Sequence, residues 1–314
     1  MKANIEFRKI RDFGEIISDC IMFIRQNWKS LVKTYFVFCG IFIAGNLVFS
    51  LLEHMKVINI RNAAIAGNPS STGTAFGLEY FMVIIFSFLN IVSATLCILS
   101  YVTLYNQKGN KAPTISEVWG YYKYYFWRVV WHSILLMIIF IMALFIVAVP
   151  ISLIFGSISS FIVPFVILIC VLVPLLYYAS ILSLFFPIVI IENGGFGYAF
   201  SKCFKLVKGK WWNTFGVVIV IAVIVYATFL LVIIPFSVAS GGVITFLSFN
   251  ASLPVVIIYT VIMSFIQVIN ILPWSAFALT YFSYIEDKES IGLLERIDTL
   301  GRADEITDTG NEAY

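Results

Sequence analysis

Charge is what this chain has least of. Only 12% of its 314 residues are charged while 61% are hydrophobic, and the mean hydropathy is +0.98. A soluble domain carries about 25% charged residues, so an ordinary water-facing surface is excluded. Histidine is scarce as well, limited to His54 and His132. The five cysteines, Cys20, Cys39, Cys97, Cys170 and Cys203, have no metal-ligand spacing and fall in apolar helical stretches, where they read as small buried side chains. There is no G-x-S-x-G, no H-E-x-x-H and no phosphate-binding loop, and Gly194-Gly195-Phe196-Gly197 is too short for a nucleotide fingerprint. The expectation is a protein that is not an enzyme, with no catalytic residue, cofactor or metal to assign and no nucleic acid among its partners. Residues 1–12 are charged throughout and lack the apolar core of a cleavable leader, which predicts a mature chain starting at Met1. Strands of about ten residues with alternating polarity are missing too, which argues against a β-barrel.

What the chain has in abundance is long apolar runs. A hydrocarbon core of about 30 Å needs about 20 apolar residues in a helix, and six stretches satisfy this: 31–52, 78–105, 129–155, 161–191, 211–236 and 253–285. The predicted fold is all-α and integral to the membrane, with one membrane domain over 1–285 and an acidic cytoplasmic tail over 286–314. Lysines and arginines divide unevenly between the two sides. Seven lie in the N-terminal segment up to Lys33, four around 106–128, four around 192–210 and three in the tail, against Lys56 and Arg61 on the other side. By the positive-inside rule both termini face the cytoplasm.

The chain also matches itself. Displaced by 183 residues, Phe13 meets Phe196, Gly14 meets Gly197, Cys20 meets Cys203, Arg25 meets Lys208 and Trp28 meets Trp211. A displacement of 98 sets Ile17 on Ile115, Ser18 on Ser116, Arg25 on Lys123 and Trp28 on Phe126. Span ends agree too: Ser100-Tyr101-Val102-Thr103 overlays Thr280-Tyr281-Phe282-Ser283, and Glu192-Asn193 takes the place of Glu286-Asp287. The expectation is three parallel repeats, about 12–106, 111–193 and 195–286, each an interfacial amphipathic helix followed by two spans. In the third, Phe196, Ala199, Phe200, Cys203, Phe204, Val207 and Trp211 form an i, i+3, i+4, i+7 stripe with Lys202, Lys205 and Lys208 off it. Such a helix lies flat at the inner leaflet. Arg25, Lys123, Lys205 and Lys208 then sit among anionic headgroups, each attracted by about 1 kcal/mol. Trp28, Phe126, Trp211 and Trp212 mark the turn into the bilayer, and Gly209 terminates the helix at that corner.

Charge inside the spans is nearly absent, so a proton or ion relay has little to work with. His132, beside Trp131, reads as an interfacial residue. Asn90, Gln267 and Asn270 are polar at depth, and either line a groove for a lipid or substrate or hydrogen-bond between helices. The prolines at 150, 164, 174, 187, 254 and 273 are expected to kink or end spans. From Glu286 the tail holds nine acids against three bases, net −6 against +9 for the rest. It is either a docking segment for a cytoplasmic protein or a solvated terminus.

The pattern Glu192-Asn193, Gly195, Ala199-Phe200-Ser201, Lys208-Gly209, Trp211-Trp212 and Phe215-Gly216 resembles the membrane domain of bacterial glycerophosphodiester phosphodiesterases and their stand-alone six-span relatives. The resemblance implies a bacterial cytoplasmic-membrane protein. The soluble phosphodiesterase domain is lacking here, so no hydrolytic residue is carried over. Two functions follow: a non-enzymatic scaffold or envelope module that binds a partner, or a carrier of lipid or another amphiphile in a groove between repeats.

Overall fold

In a computed structural model of the chain, residues 6–66, 77–155, 162–239 and 253–290 are described. The loop GNPSSTG and the acidic tail beyond Ser290 lie outside them, as does the side chain of Cys170. Among the described residues every regular element is helical: α1 Phe13–Ile65, α2 Leu78–Gln107, α3 Ile115–Phe155, α4 Ile162–Leu182, α5 Phe185–Ile191, α6 Phe196–Val207, α7 Trp211–Ala239, α8 Leu253–Ile266, a 3₁₀ turn Gln267–Asn270 and α9 Ile271–Glu289. Among the described residues, six helical stretches are long and apolar enough to cross a membrane.

The helix boundaries differ from the expected ones in a systematic way. Of the three expected copies, only the third breaks between its leading segment and the long apolar helix that follows, at Lys208–Lys210, where Gly209 has φ +86°. In the first two copies the helix runs straight through, from Phe13 to Ile65 and from Ile115 to Phe155. The elbows expected at Trp28 and Phe126 are therefore absent. Gln26 and Tyr124 stand at the register of Gly209, and a side chain disfavours the left-handed backbone that the corner requires. At 1.5 Å per residue, the 53-residue α1 is about 80 Å long, far more than a bilayer core needs.

Proline sets the other breaks. Pro187 lacks an N–H and its ring presses on the carbonyl four residues back, that of Ser183, and the helix opens at Ser183–Leu184 between α4 and α5. Pro273 acts in the same way on Ile269, inside the 3₁₀ turn. Pro150, Pro174 and Pro235 are accommodated within α3, α4 and α7.

The core gathers at one end, where the second halves of α2 and α9 meet α5. Residues Val92 to Tyr105 of α2 are all buried, and so is nearly every residue from Leu272 to Glu286 of α9. Small side chains permit this approach: Ser93, Ala94, Cys97 and Ser100 on α2, Ser275, Ala276, Ala278 and Ser283 on α9. Thr95, Thr103 and Thr280 donate to carbonyls one turn back on their own helices, at 2.7–2.8 Å, so their burial leaves no free hydroxyl. Away from this end the helices expose their apolar side chains, among them Met142 and Ile146 on α3 and Val223, Leu231 and Val238 on α7.

Candidate functional site

The basic end is held by polar contacts that join distant parts of the chain. Arg11, 3% exposed, donates through Nε to Asp19 Oδ2 at 2.7 Å and through Nη1 to the carbonyls of Phe7 and Lys9, with Nη2 on that of Glu6. Its backbone N–H donates to Ser283 Oγ at 2.9 Å. This hook brings the Phe7 ring among Phe23, Tyr105 and Phe282, at centroid distances of 5.5–5.7 Å. A second knot centres on Glu192, whose Oε1 accepts from Lys202 Nζ at 2.8 Å and Tyr281 at 2.5 Å, and whose Oε2 accepts from Tyr198 at 2.7 Å. Lys202 also pairs with Glu289 at 3.0 Å, and Lys210 with Asp287 at 2.7 Å. The first residues of the expected tail, Glu286 to Glu289, thus complete α9 and tie it to the segment around α6.

Electrostatics at α6 follow from these contacts. Burial alone would lower the Lys202 ammonium, but the carboxylates of Glu192 and Glu289 and the Tyr198 hydroxyl outweigh it and raise the pKa. The Tyr198 hydroxyl is raised by donating to Glu192. Burial pushes the Cys203 thiol up to about 12, which keeps it protonated and unreactive.

Of the residues expected at an interface, Arg25, Trp28, Lys123, Lys205, Lys208 and Trp212 are exposed, and Phe126 and Trp211 are half-buried. The apolar stripe of α6 is divided in its exposure. Ala199, Cys203 and Val207 are buried in the protein, against the expectation that the stripe rests on the acyl boundary, while Phe196, Phe200, Phe204 and Trp211 are only partly covered. The reason is proximity: α6 follows α5 after four residues and packs on α5 and α9. Positions that the two displacements superimpose include some that are buried together: Cys20, Val118 and Cys203; Leu31, Val129 and Thr214; and Thr34, His132 and Val217. His132 packs between the rings of Phe185 and Phe196, at 5.9 and 5.6 Å.

The polar residues at depth come together in part. Asn90 Nδ2 donates to Gln267 Oε1, joining α2 to the 3₁₀ turn, and Tyr35 donates to the Gln267 carbonyl at 2.9 Å. Asn270, at the end of that turn, adjoins Tyr35. The Asn90 and Gln267 amides thus use one another, while Asn90 Oδ1 is buried without a hydrogen-bond partner among the described residues.

The open spaces lie elsewhere. A cavity of about 690 Å³ separates α1 from the leading part of α3, lined by Phe38, Ile41, Trp119, Tyr122, Lys123 and Phe126. Rings from both walls stack: Phe38 of α1 and Trp119 and Tyr122 of α3 have centroids 4.8–5.9 Å apart, and Tyr122 donates to Ser93 Oγ at 3.1 Å, which fixes the stack to α2. A second cavity, about 250 Å³, lies between the leading part of α1 and the start of α9, lined by Ile21, Ile24, Arg25, Trp28, Ile271 and Leu272. Sequence reasoning found Lys123, Phe126, Arg25 and Trp28 but missed Phe38 and Trp119, which no periodicity distinguishes from ordinary apolar surface. It also missed Arg11 and the partners of Glu192. Comparison with family models, with curated proteins and with solved structures finds no match for the chain.

Proposed function

We propose that this chain is a non-enzymatic integral membrane module of the cytoplasmic membrane, three parallel repeats arranged around a packed axis, serving as a fixed scaffold at the inner leaflet. The observation that carries the reading is the closure of the first copy on the last. Arg11 meets Ser283, Cys20 Sγ lies 3.7 Å from the Leu272 carbonyl, Tyr35 and Asn90 both bond Gln267, and α2, α5 and α9 pack together where these contacts gather. A carrier would need that axis to open, and each of these bonds opposes opening. Several titratable groups of the basic end are spent on one another, as in the Glu192, Lys202 and Glu289 knot, which supports a structural rather than a catalytic use of that knot.

Sidedness is tested with single-cysteine variants and a membrane-impermeant thiol reagent on intact cells. Lys56→Cys should label and Lys208→Cys should not; the reverse pattern overturns the reading. The acidic tail is the segment by which such a scaffold would hold a cytoplasmic protein. Its deletion should begin at residue 291, because Asp287 and Glu289 belong to the fold. The truncated protein should keep its melting temperature and lose a co-purifying protein, and an unchanged set of co-purifying proteins counts against tail-mediated docking.

A further inference from the structure

The two lateral cavities share a wall in the same register. Ile21, Ile24, Arg25 and Trp28 of the smaller one stand 98 residues before Trp119, Tyr122, Lys123 and Phe126 of the larger. Each wall offers apolar surface, then a base, then an aromatic ring one turn on. Arg25 and Lys123 are exposed and, among the described residues, have no hydrogen bond or ion pair from their side chains. Lys9, Arg11, Lys108, Lys202 and Lys210 are by contrast all neutralised by carboxylates. From this juxtaposition of apolar slot and free cation we infer that the two cavities each hold one anionic phospholipid, its acyl chain in the slot and its phosphate on Lys123 or Arg25.

The third copy shows what excludes such a site. Lys208 and Trp211 repeat the base and the ring, but Tyr177 stands against Trp211, and the nearby apolar cavity of about 310 Å³, lined by Phe140, Pro174, Tyr178 and Phe200, has no base in its wall. Tyr177 and Tyr178 of α4 stand 94 residues before Ile271 and Leu272, which line the smaller cavity. The larger side chains reach across: Tyr177 lies 5.5 Å from Trp211 and Tyr178 lies 6.5 Å from Phe204, centroid to centroid. Two lipids are therefore expected, not three. The binding chemistry is that of a membrane lipid rather than a soluble anion, because the slot is apolar and opens outward, where Ile41 is 71% exposed and Trp127 68%.

The inference rests on the scaffold reading only for the leaflet concerned. It is tested on the full chain in detergent micelles, which are blind to sidedness, so its failure is separable from a failure of thiol labelling. The probes are phosphatidylglycerol and phosphatidylcholine brominated in their acyl chains. The readout is quenching of Trp119, isolated by difference against Trp119→Phe, together with lipid stoichiometry by native mass spectrometry. Phosphatidylglycerol should quench at about fivefold lower mole fraction, the worth of one basic residue near a lipid surface. Lys123→Gln should abolish that preference and leave the phosphatidylcholine curve unmoved. Lys123→Gln and Arg25→Gln should each remove one of two bound phosphatidylglycerols, and Lys208→Gln neither. All three residues are exposed, so the variants should melt with the parent. Equal quenching by the two lipids, or a loss in Lys208→Gln equal to that in Lys123→Gln, overturns the inference.

Discussion

The leading part of α1 and the segment from α6 into α7 carry buried residues at matching positions on different backbones. In α1 the chain passes Gln26 as uninterrupted helix, whereas between α6 and α7 it turns at Gly209 with φ +86°. Three turns after the buried Cys20 comes the buried Leu31, and after Cys203 the buried Thr214, the corner notwithstanding. Before the turn Lys202 pairs with Glu289 at 3.0 Å, and after it Thr214 meets Tyr284 at 2.9 Å, oxygen to oxygen, so the contacts to α9 hold on both sides of the turn. The lesson is that inward contacts are set by register to the central helices, while the path between them is decided by whether one residue tolerates a left-handed backbone.

Several substitutions would break or sharpen that contrast. The largest effect is expected from Gln26→Pro, which removes a helix bond and inserts a ring into the preceding turn of α1. It should cost about 3 kcal/mol or more, read as unfolding free energy of the purified protein. A loss under about 1 kcal/mol would mean that the first copy already bends there. Gly209→Val should cost about 1–3 kcal/mol because a β-branched residue is forced to positive φ, while Gln26→Val and Tyr124→Val at the same register should change stability by about 0.5 kcal/mol. Equal effects at all three positions would erase the distinction between straight and turned copies. A double-mutant cycle on Asn90→Ala and Gln267→Ala tests the closure of the first copy on the third, with an expected coupling of about 0.6 and at most about 1.7 kcal/mol. No coupling would remove that amide pair from the account of ring closure.

The smallest effect is a pH dependence confined to the surroundings of α6. The Lys202 pKa is raised in the folded protein, so its contribution is complete below the unfolded value of about 10.4 and is lost as pH rises through the folded one. Stability should be flat in this respect from pH 7 to 9 and fall above about pH 10.4, and Lys202→Met should reduce that alkaline slope. The Cys203 thiol, pushed up to about 12, should resist alkylation at pH 8 while the protein is folded and react once it is denatured. Alkylation of the native protein at the rate of a free thiol would mean that α6 leaves its seat on α5 and α9.

Much of this was legible before any coordinates. The apolar lengths, the cluster of bases, the prolines and Gly209 are local features, and each acts within a turn or two of itself. The same reading placed elbows at Trp28 and Phe126 because it weighed aromatic and basic residues, when the deciding position was the one held by Gln26 and Tyr124. Arg11 was indistinguishable from its neighbours Arg8 and Lys9, since only contact with Asp19 and Ser283 sets it apart. Asn90 and Gln267 stood out as polar at depth, but 177 residues separate them and nothing in their surroundings declares a pair.

The sequence by itself determined helices long enough to cross a bilayer, a basic end, breaks at Pro187 and Pro273, and a corner at Gly209. These depend on backbone sterics and on the length and polarity of contiguous runs. Only the tertiary structure decided which bases are neutralised and which stay free, and which register-equivalent slots stay open. Those outcomes turn on side-chain volume and charge brought from elements far along the chain: Ile271 and Leu272 leave space beside Trp28, whereas Tyr177 stands against Trp211.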